Sequence, residues 1–242
     1  MKNKNIYLRY IPMSVVAVLI IFFAVKNALD PADGQDVELW YIIFKTIPTL
    51  VTLVVQLLLI AANRYSFLLG GLNALLYGVV YFIEGVPFSG AFSILVSLPI
   101  QIYSFFHWKN NSRSGKVTLR WLGIKGRIIT AVAAVGVWAI CFFFLSKLMV
   151  MRIPMFDTII FSLGIVVTIL SAVRFIESQY ISLVSNTVSL VMWIILTVAD
   201  PSNINYVLIG VYNVYCIAQT AINWTLLYMK EKKERLAETV NE

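Results

Sequence analysis

Apolar runs alternate with short polar segments along almost the whole chain. Most of these runs approach the roughly 20 residues that an α-helix needs to cross the hydrocarbon core of a bilayer. The two-residue alternation that is typical of membrane β-barrel strands is absent. The pattern therefore predicts an all-α, polytopic membrane protein with eight transmembrane helices. We expect them near residues 11–25, 39–62, 66–82, 88–108, 128–146, 155–173, 178–198 and 204–229.

The first apolar segment resembles a secretory signal peptide, because Lys2, Lys4 and Arg9 precede it. The sequence Lys26-Asn27-Ala28 provides no A-x-A cleavage site behind it. We therefore expect this segment to be retained as the first transmembrane helix.

Polar side chains recur along one face of the predicted seventh helix, at Gln179, Ser182, Asn186, Ser189 and Trp193. Steps of three and four residues place side chains on the same face of an α-helix. Amides and hydroxyls are costly against lipid, so this face must meet other helices or a water-filled cavity. We interpret it as one wall of a polar pocket for an uncharged or weakly charged small molecule.

Similar stripes occur on other helices, with Lys45, Thr49, Thr52 and Gln56 on the second, Gly70, Asn73, Tyr77 and Tyr81 on the third, Ser93, Ser97, Gln101 and Ser104 on the fourth, Asp157, Gly164, Thr168 and Ser171 on the sixth, and Tyr212, Cys216, Gln219 and Asn223 on the eighth. Amides suit a ribose or a carboxamide, and aromatic rings suit a heterocycle. The predicted substrate-binding residues are Asn73, Tyr77, Gln101, Gln179, Ser182, Asn186, Trp193, Gln219 and Asn223.

Small and polar residues also hold membrane helices together by close packing and interhelical hydrogen bonds. A membrane scaffold or sensor, whose stripes only pack helices, is therefore the alternative from another functional class. The sequence has no nucleophile–base–orienter set, H-E-x-x-H, Walker loop or GxGxxG motif, so we expect neither an enzyme nor a cofactor. We also expect no metal site and no disulfide from Cys141 and Cys216, because both lie in apolar segments.

The net charge of +7 does not indicate nucleic-acid binding, because the basic residues lie in short runs between the apolar segments. The N-terminus, Arg64, residues 109–127, Arg174 and the charged tail share one side, which the positive-inside rule makes cytoplasmic. The opposite loops hold most of the acids. Eight helices then leave both termini in the cytoplasm.

Lys45 and Asp157 are the charges that lie well inside predicted helices, both toward the outer ends. They suggest either an ion pair between the second and sixth helices or snorkelling of Lys45 to the interface.

The order of polar landmarks in helices two to four recurs in helices six to eight. Two three-helix units joined by one helix would be parallel repeats, a known plan among transporters. The predicted divisions are 1–38 (first helix and loop), 39–108 (first repeat), 109–152 (basic loop and linker helix), 153–229 (second repeat) and 230–242 (charged tail).

Several segments together resemble the PnuC family of bacterial vitamin transporters, namely NRYSFLLGGLNALLYGVVYF (63–82), QIYSFFHW (101–108), the spacing from Asp157 to Arg174, RFIESQYISLVSNTVSLVMW (174–193) and the element from Gln219 to Trp224. The resemblance implies a 3+1+3 helix fold similar to SWEET transporters but oppositely oriented. It also implies a homotrimer in the bacterial plasma (inner) membrane. The implied activity is facilitated diffusion of a vitamin-like nucleoside, typically nicotinamide riboside, which a cytoplasmic kinase traps by phosphorylation.

The chain departs from the family pattern at the W-x-x-W pair that nicotinamide riboside carriers have before the seventh-helix asparagine. Gln179 and Ser182 occupy these positions, while Asn186 is retained. Gln101 and Gln219 stand where the family often has asparagine. Nicotinamide riboside remains the first expectation as the family's typical substrate. A deoxynucleoside, thiamine or riboflavin is the alternative.

Overall fold

The computed structural model of the protein describes residues 2–29, 39–110, 112–113, 116–144, 147 and 152–240. Within these residues lie eight long helices: α1 (Lys2–Leu29), α2 (Leu39–Ile60), α3 (Tyr65–Ile83), α4 (Pro87–Asn110), α5 (Ile124–Phe143), α6 (Pro154–Ala172), α7 (Glu177–Ala199) and α8 (Ile204–Val240). A π-helical segment, Phe92–Ser97, interrupts α4, and a 3₁₀ turn, Pro201–Asn203, precedes α8. Strands β1 (Ser112–Arg113) and β2 (Lys116–Val117) form a short antiparallel pair.

Seven helices, α1 to α7, are long and apolar enough to cross a membrane. The polar residues Asn205, Asn213, Gln219 and Asn223 lower the mean hydropathy of α8, which at 37 residues is long enough. The prediction of an all-α, polytopic membrane protein is confirmed. The charged tail continues α8 as far as Val240, because its Lys, Glu, Arg, Leu and Ala residues favour a helix.

Six of the helices form a closed ring in the order α2, α3, α4, α6, α7, α8, with α8 packing back against α2. Helix α1 packs outside the ring against α2 and α8, and α5 packs outside it against α6. The ring order is the one that two parallel three-helix units would produce around an axis along the membrane normal. The two units meet at two seams, which are α2 with α8 and α4 with α6.

Matching tryptophans close the two seams at one end of the ring. Trp224 of α8 donates its indole N–H to the carbonyl of Leu59 in α2, at 3.2 Å. Trp108 of α4 donates in the same way to the carbonyl of Ser171 in α6, also at 3.2 Å. Both indoles are fully buried, and their rings contact each other with centroids 5.4 Å apart. The last turns of α2 and α6 each contain a backbone carbonyl that lipid could not hydrogen-bond. In each case a tryptophan from the other group of three helices donates the hydrogen bond.

The backbones at the ends of α2 and α6 also correspond. Ala62 and Arg174, each three residues beyond the accepting carbonyl, adopt positive φ angles of 51° and 69°. Lys45 and Asp157 lie 17 residues before them, so these two charged residues occupy corresponding positions. These matches support the predicted repeat, which itself stays a prediction.

Lys45 and Asp157 do not pair with each other, and each instead contacts the N-terminal end of a helix in the opposite unit. Lys45 lies 2.5 Å from Glu84 and donates to Asn203 Oδ1 at 2.8 Å, just before α8. Asp157 accepts hydrogen bonds at the start of α4, from the backbone N–H of Phe88 at 3.1 Å and from Ser89 through its backbone N–H and hydroxyl. The Lys45–Asp157 ion pair was a wrong expectation, and so was snorkelling, since the Lys45 side chain is buried.

The ring has a basic end and an acidic end. The basic end carries Arg64, Arg120, Arg127 and Arg174, while the acidic end carries Glu84, Asp157 and Asp200 together with the cations Lys45 and Arg152. Burial lowers the pKa of the Arg174 guanidinium, which nevertheless stays cationic because an arginine pKa starts so high. The predicted acidic loop at 30–38 and most of the link between α5 and α6 lie outside the described residues.

Replacement of Lys45 by methionine should leave the buried Glu84 carboxylate without its nearest counter-charge, since the remaining cation, Arg152, is half-exposed and 3.8 Å away. We expect the free energy of unfolding in detergent micelles to fall by about 3–5 kcal/mol, the usual effect of breaking a buried pair. The double variant Lys45→Met with Glu84→Gln should recover most of this loss. A double variant no more stable than the single one would contradict the pairing.

Candidate functional site

A central cavity of about 310 Å³ lies inside the ring, between α2, α3, α4, α7 and α8. Its lining residues are Thr52, Val55, Gln56, Gly70, Asn73, Ala74, Tyr77, Tyr81, Ser93, Ser97, Gln101, Asn186, Ser189, Trp193, Tyr206, Ile209, Gly210 and Asn213. None of these described residues carries a formal charge. A cavity with amides, hydroxyls and rings but no ionised side chain suits a neutral or weakly charged ligand.

Two hydrogen bonds join polar side chains of neighbouring helices in the wall of the cavity. The amide of Asn73 donates to the Thr52 hydroxyl at 2.7 Å, and the amide of Gln56 donates to Asn213 Oδ1 at 3.1 Å. These bonds orient the amides so that Asn73 Oδ1 and Gln56 Oε1 accept no hydrogen bond from the described residues, although both are buried. Buried acceptors cost free energy until they are paired, so the cavity favours a ligand with hydrogen-bond donors.

Asn186 and Gln101 present amides from opposite sides. Asn186 donates to the Ser182 carbonyl at 2.9 Å, which holds its side chain against its own helix. Gln101 donates to the Ser97 hydroxyl at 3.2 Å, and its carboxamide fills the space over Gly70 where a Cβ would lie. Gly70 therefore leaves room for the Gln101 carboxamide between α3 and α4.

Four aromatic rings form a layer at the acidic-end side of the cavity. Trp193 stacks on Tyr206 with centroids 4.2 Å apart and on Tyr81 at 6.0 Å, and Tyr77 stacks on Tyr81 at 5.7 Å. The ammonium of Lys45 lies 5.6 Å from the centroid of Tyr206. This aromatic layer thus separates the cavity from the buried Lys45–Glu84 pair and offers flat π surfaces to a ligand.

Two smaller cavities continue from the central one. A cavity of about 200 Å³ shares Asn186 and is also lined by Ser182 and Ser89. Another, of about 140 Å³, shares Gln101 and extends toward the basic end past Ser104. Gln101 therefore lies between the central cavity and the space at the basic end.

Five of the nine predicted site residues line the central cavity, namely Asn73, Tyr77, Gln101, Asn186 and Trp193. The other four, Gln179, Ser182, Gln219 and Asn223, do not. Ser182 lines only the neighbouring cavity of about 200 Å³.

The remaining three predicted residues lie outside the cavity for local reasons. Gln179, in the first turn of α7, is buried at the basic end and donates to the Ser178 hydroxyl at 3.4 Å. Asn223 donates to the carbonyl of Ile60 at 2.7 Å and so closes a seam. Gln219 lies on the stripe that faces α1 and α2, where Tyr212 and Cys216 are buried in an apolar cluster.

Sequence reasoning missed the face of α8 that lines the cavity. Tyr206, Gly210 and Asn213 follow one another at steps of four and three, parallel to the stripe we selected. The spacing alone could have identified this second face, but it could not rank the two. Thr52 and Gln56 belonged to a recognised stripe without being assigned to the site.

A polar cavity enclosed by a ring of six helices in a multi-pass membrane protein is typical of a membrane transporter. A profile of the family described as "Nicotinamide mononucleotide transporter" matches residues 42–225. The chain belongs to this family, which confirms the predicted resemblance and the expectation of a transporter rather than an enzyme.

A solved structure described as the vitamin B3 transporter PnuC shares the fold. Its TM-score is 0.70 at 18% sequence identity, over 89% of this chain and 92% of that one. A comparison with curated proteins found no match.

Cysteine labelling should distinguish polar residues that line the cavity from polar residues that face other helices. Ser189→Cys should react with a hydrophilic thiol reagent because position 189 lines the cavity, whereas Gln219→Cys should react far more slowly. The native Cys141 and Cys216 are only 3% and 1% exposed, so they should contribute little background. Faster labelling at position 219, measured by mass spectrometry, would contradict this assignment.

Proposed function

We propose that the protein carries a nucleoside-like vitamin, nicotinamide riboside first, across the membrane by facilitated diffusion. The observation that carries the proposal is the uncharged central cavity, whose wall combines amide side chains that have unpaired acceptors with a layer of aromatic rings. Ribose hydroxyls are donors for Asn73 Oδ1 and Gln56 Oε1. A pyridinium ring, positively charged but delocalised, would lie against the aromatic layer that Trp193 and Tyr81 form with their neighbours.

These rings would supply a stacking surface in place of the two indoles of the W-x-x-W pair, which this chain lacks. The positions of that pair, Gln179 and Ser182, lie outside the central cavity, so their identity does not alter its wall. A neutral deoxynucleoside would use the same acceptors, and thiamine or riboflavin would use the same rings. The substrate assay below distinguishes these alternatives.

A phosphorylated nucleoside fits this cavity poorly, despite the name of the family. A phosphate brings about two negative charges at neutral pH, and none of the described residues that line the cavity is a lysine or arginine. Desolvating that charge without a cation is strongly unfavourable. The same argument supports trapping of the substrate by phosphorylation, because a substrate phosphorylated in the cytoplasm could not pass back through the cavity.

Transport would proceed by alternating access of the two units. Opening of the seams at the acidic end would admit substrate, and movement of Gln101 away from Gly70 would connect the cavity to the basic end. The distribution of charge supports a cytoplasmic location for the basic end and both termini, in the plasma (inner) membrane of a bacterium. We further propose a homotrimer in which each protomer has its own pathway, to be tested by native mass spectrometry of the 27.3 kDa chain.

Uptake into proteoliposomes should identify the substrate. We expect saturable uptake of labelled nicotinamide riboside, and no uptake of nicotinamide mononucleotide because the cavity lacks a cation for its phosphate. Thymidine, thiamine and riboflavin are the comparison substrates, and empty liposomes are the control. Failure to transport any of them would overturn the proposal and favour the scaffold or sensor.

Replacement of Asn186 by leucine should remove a polar group from the cavity and place a hydrocarbon there. We expect the affinity for substrate, measured by thermal shift or calorimetry, to fall at least 10-fold, about 1.4 kcal/mol. Gln219→Leu is the matched control, an amide replaced on the same kind of helix but outside the cavity, and it should bind normally. Equal effects of the two substitutions would exclude Asn186 from the site.

A further inference from the structure

An apolar groove of about 500 Å³ lies on the outside of the ring, between α5, α6 and α7. Its walls include Ala131 and Ala134 of α5, Leu163 and Val166 of α6, and Ile181 and Val184 of α7. The surface that these residues present is almost wholly hydrocarbon. The groove has no contact with the central cavity residues, so transport does not account for it.

The groove is open on the outer surface of the molecule, where Val135 is 62% exposed although it borders the groove. Its lining on α5 runs from Arg127, near the basic end, to Val135, whereas Cys141, further along the helix, is 3% exposed and does not line it. The groove therefore begins at the basic end and ends near the middle of α5.

This length fits one leaflet of a bilayer. From Arg127 to Val135 the groove runs for about 12 Å at 1.5 Å per helical residue, close to the ~15 Å that is half of a hydrocarbon core. A transmembrane helix of a second copy would need a surface as long as both leaflets. An acyl chain from one leaflet needs only the length that is present.

The mouth of the groove lies at the basic end and is lined by Arg127 and Glu177. Glu177 accepts from the Arg127 guanidinium at 3.1 and 3.2 Å and from the backbone N–H of Leu122 at 3.0 Å. Arg127 keeps 46% of its side chain exposed in this pair. Arg120, before α5, and Lys125, in its first turn, are also exposed, so basic side chains outnumber Glu177 in this part of the described surface.

We propose that this groove is a binding site for an anionic phospholipid of the leaflet at the basic end. One acyl chain fills the groove beside Ala134, Arg127 holds the headgroup phosphate, and the exposed Lys125 adds positive charge nearby. The bound lipid occupies the space between the linker helix and the second unit. It thereby fastens α5, which in the described residues packs mainly against α6, to the transporter core.

The test is native mass spectrometry of the full chain after exchange into nanodiscs of phosphatidylglycerol or phosphatidylcholine. We expect phosphatidylglycerol to be retained at least five-fold more than phosphatidylcholine. Ala134→Phe should fill the groove and reduce retention at least five-fold. Ala133→Phe, the same change at the neighbouring alanine outside the groove, should leave retention unchanged.

A second pair of variants tests the contribution of positive charge near the mouth of the groove and leaves its apolar walls unchanged. Lys125→Gln should reduce the preference for phosphatidylglycerol, whereas Lys232→Gln, an exposed lysine in the tail helix, should not. Equal retention of the two lipids, or unchanged retention in both Ala134→Phe and Lys125→Gln, would overturn the proposal. Loss of an oligomer in Ala134→Phe with lipid retention unchanged would also overturn it, because the groove would then be a protein interface.

Discussion

Lipid cannot form hydrogen bonds with the unpaired N–H and C=O groups at helix ends, so other parts of the protein must do so. This constraint determines how the helices of the ring are joined. Carbonyls in the last turns of α2 and α6 accept from Trp224 and Trp108, each supplied by the opposite three-helix unit. At the other end, Asp157 accepts from the first N–H groups of α4, and Lys45 binds the turn before α8. Each seam is therefore tied at both ends by groups whose separation would leave buried donors and acceptors unpaired.

The central cavity follows from these ties. With the seams fixed at both ends, the ring keeps an open middle, where amides and hydroxyls line a space without formal charge. The side chains there are only partly satisfied, since Gln56 Oε1 and Asn73 Oδ1 accept no hydrogen bond from the described residues, and a ligand could supply the missing donors. Transport would require the ties at one end to open while those at the other end hold.

Helix α5 lies outside the ring, where most of its surface faces away from the other helices. Helix α5 is largely exposed and carries no polar stripe, as a connector between two parallel units requires. The apolar groove lies near the basic end, where Arg127 borders it. The charge asymmetry that supports the proposed orientation therefore also supports the proposed site for an anionic headgroup.

The sequence by itself determined the class, the approximate bounds of the helices and the helix faces that carry polar residues. These are properties of length, periodicity and local charge, which act within a single helix. Asn73, Gln101, Asn186 and Trp193 were found in this way, because a polar face must be turned from lipid whatever its neighbours are. Tertiary structure decided which polar face meets the cavity and which meets another helix. Both faces of α8 look alike in sequence, yet the ring order turns Asn213 inward and leaves Tyr212 against α1 and α2. The partner of Lys45 was likewise beyond sequence, because it depends on which helix ends meet across a seam rather than on any spacing along the chain.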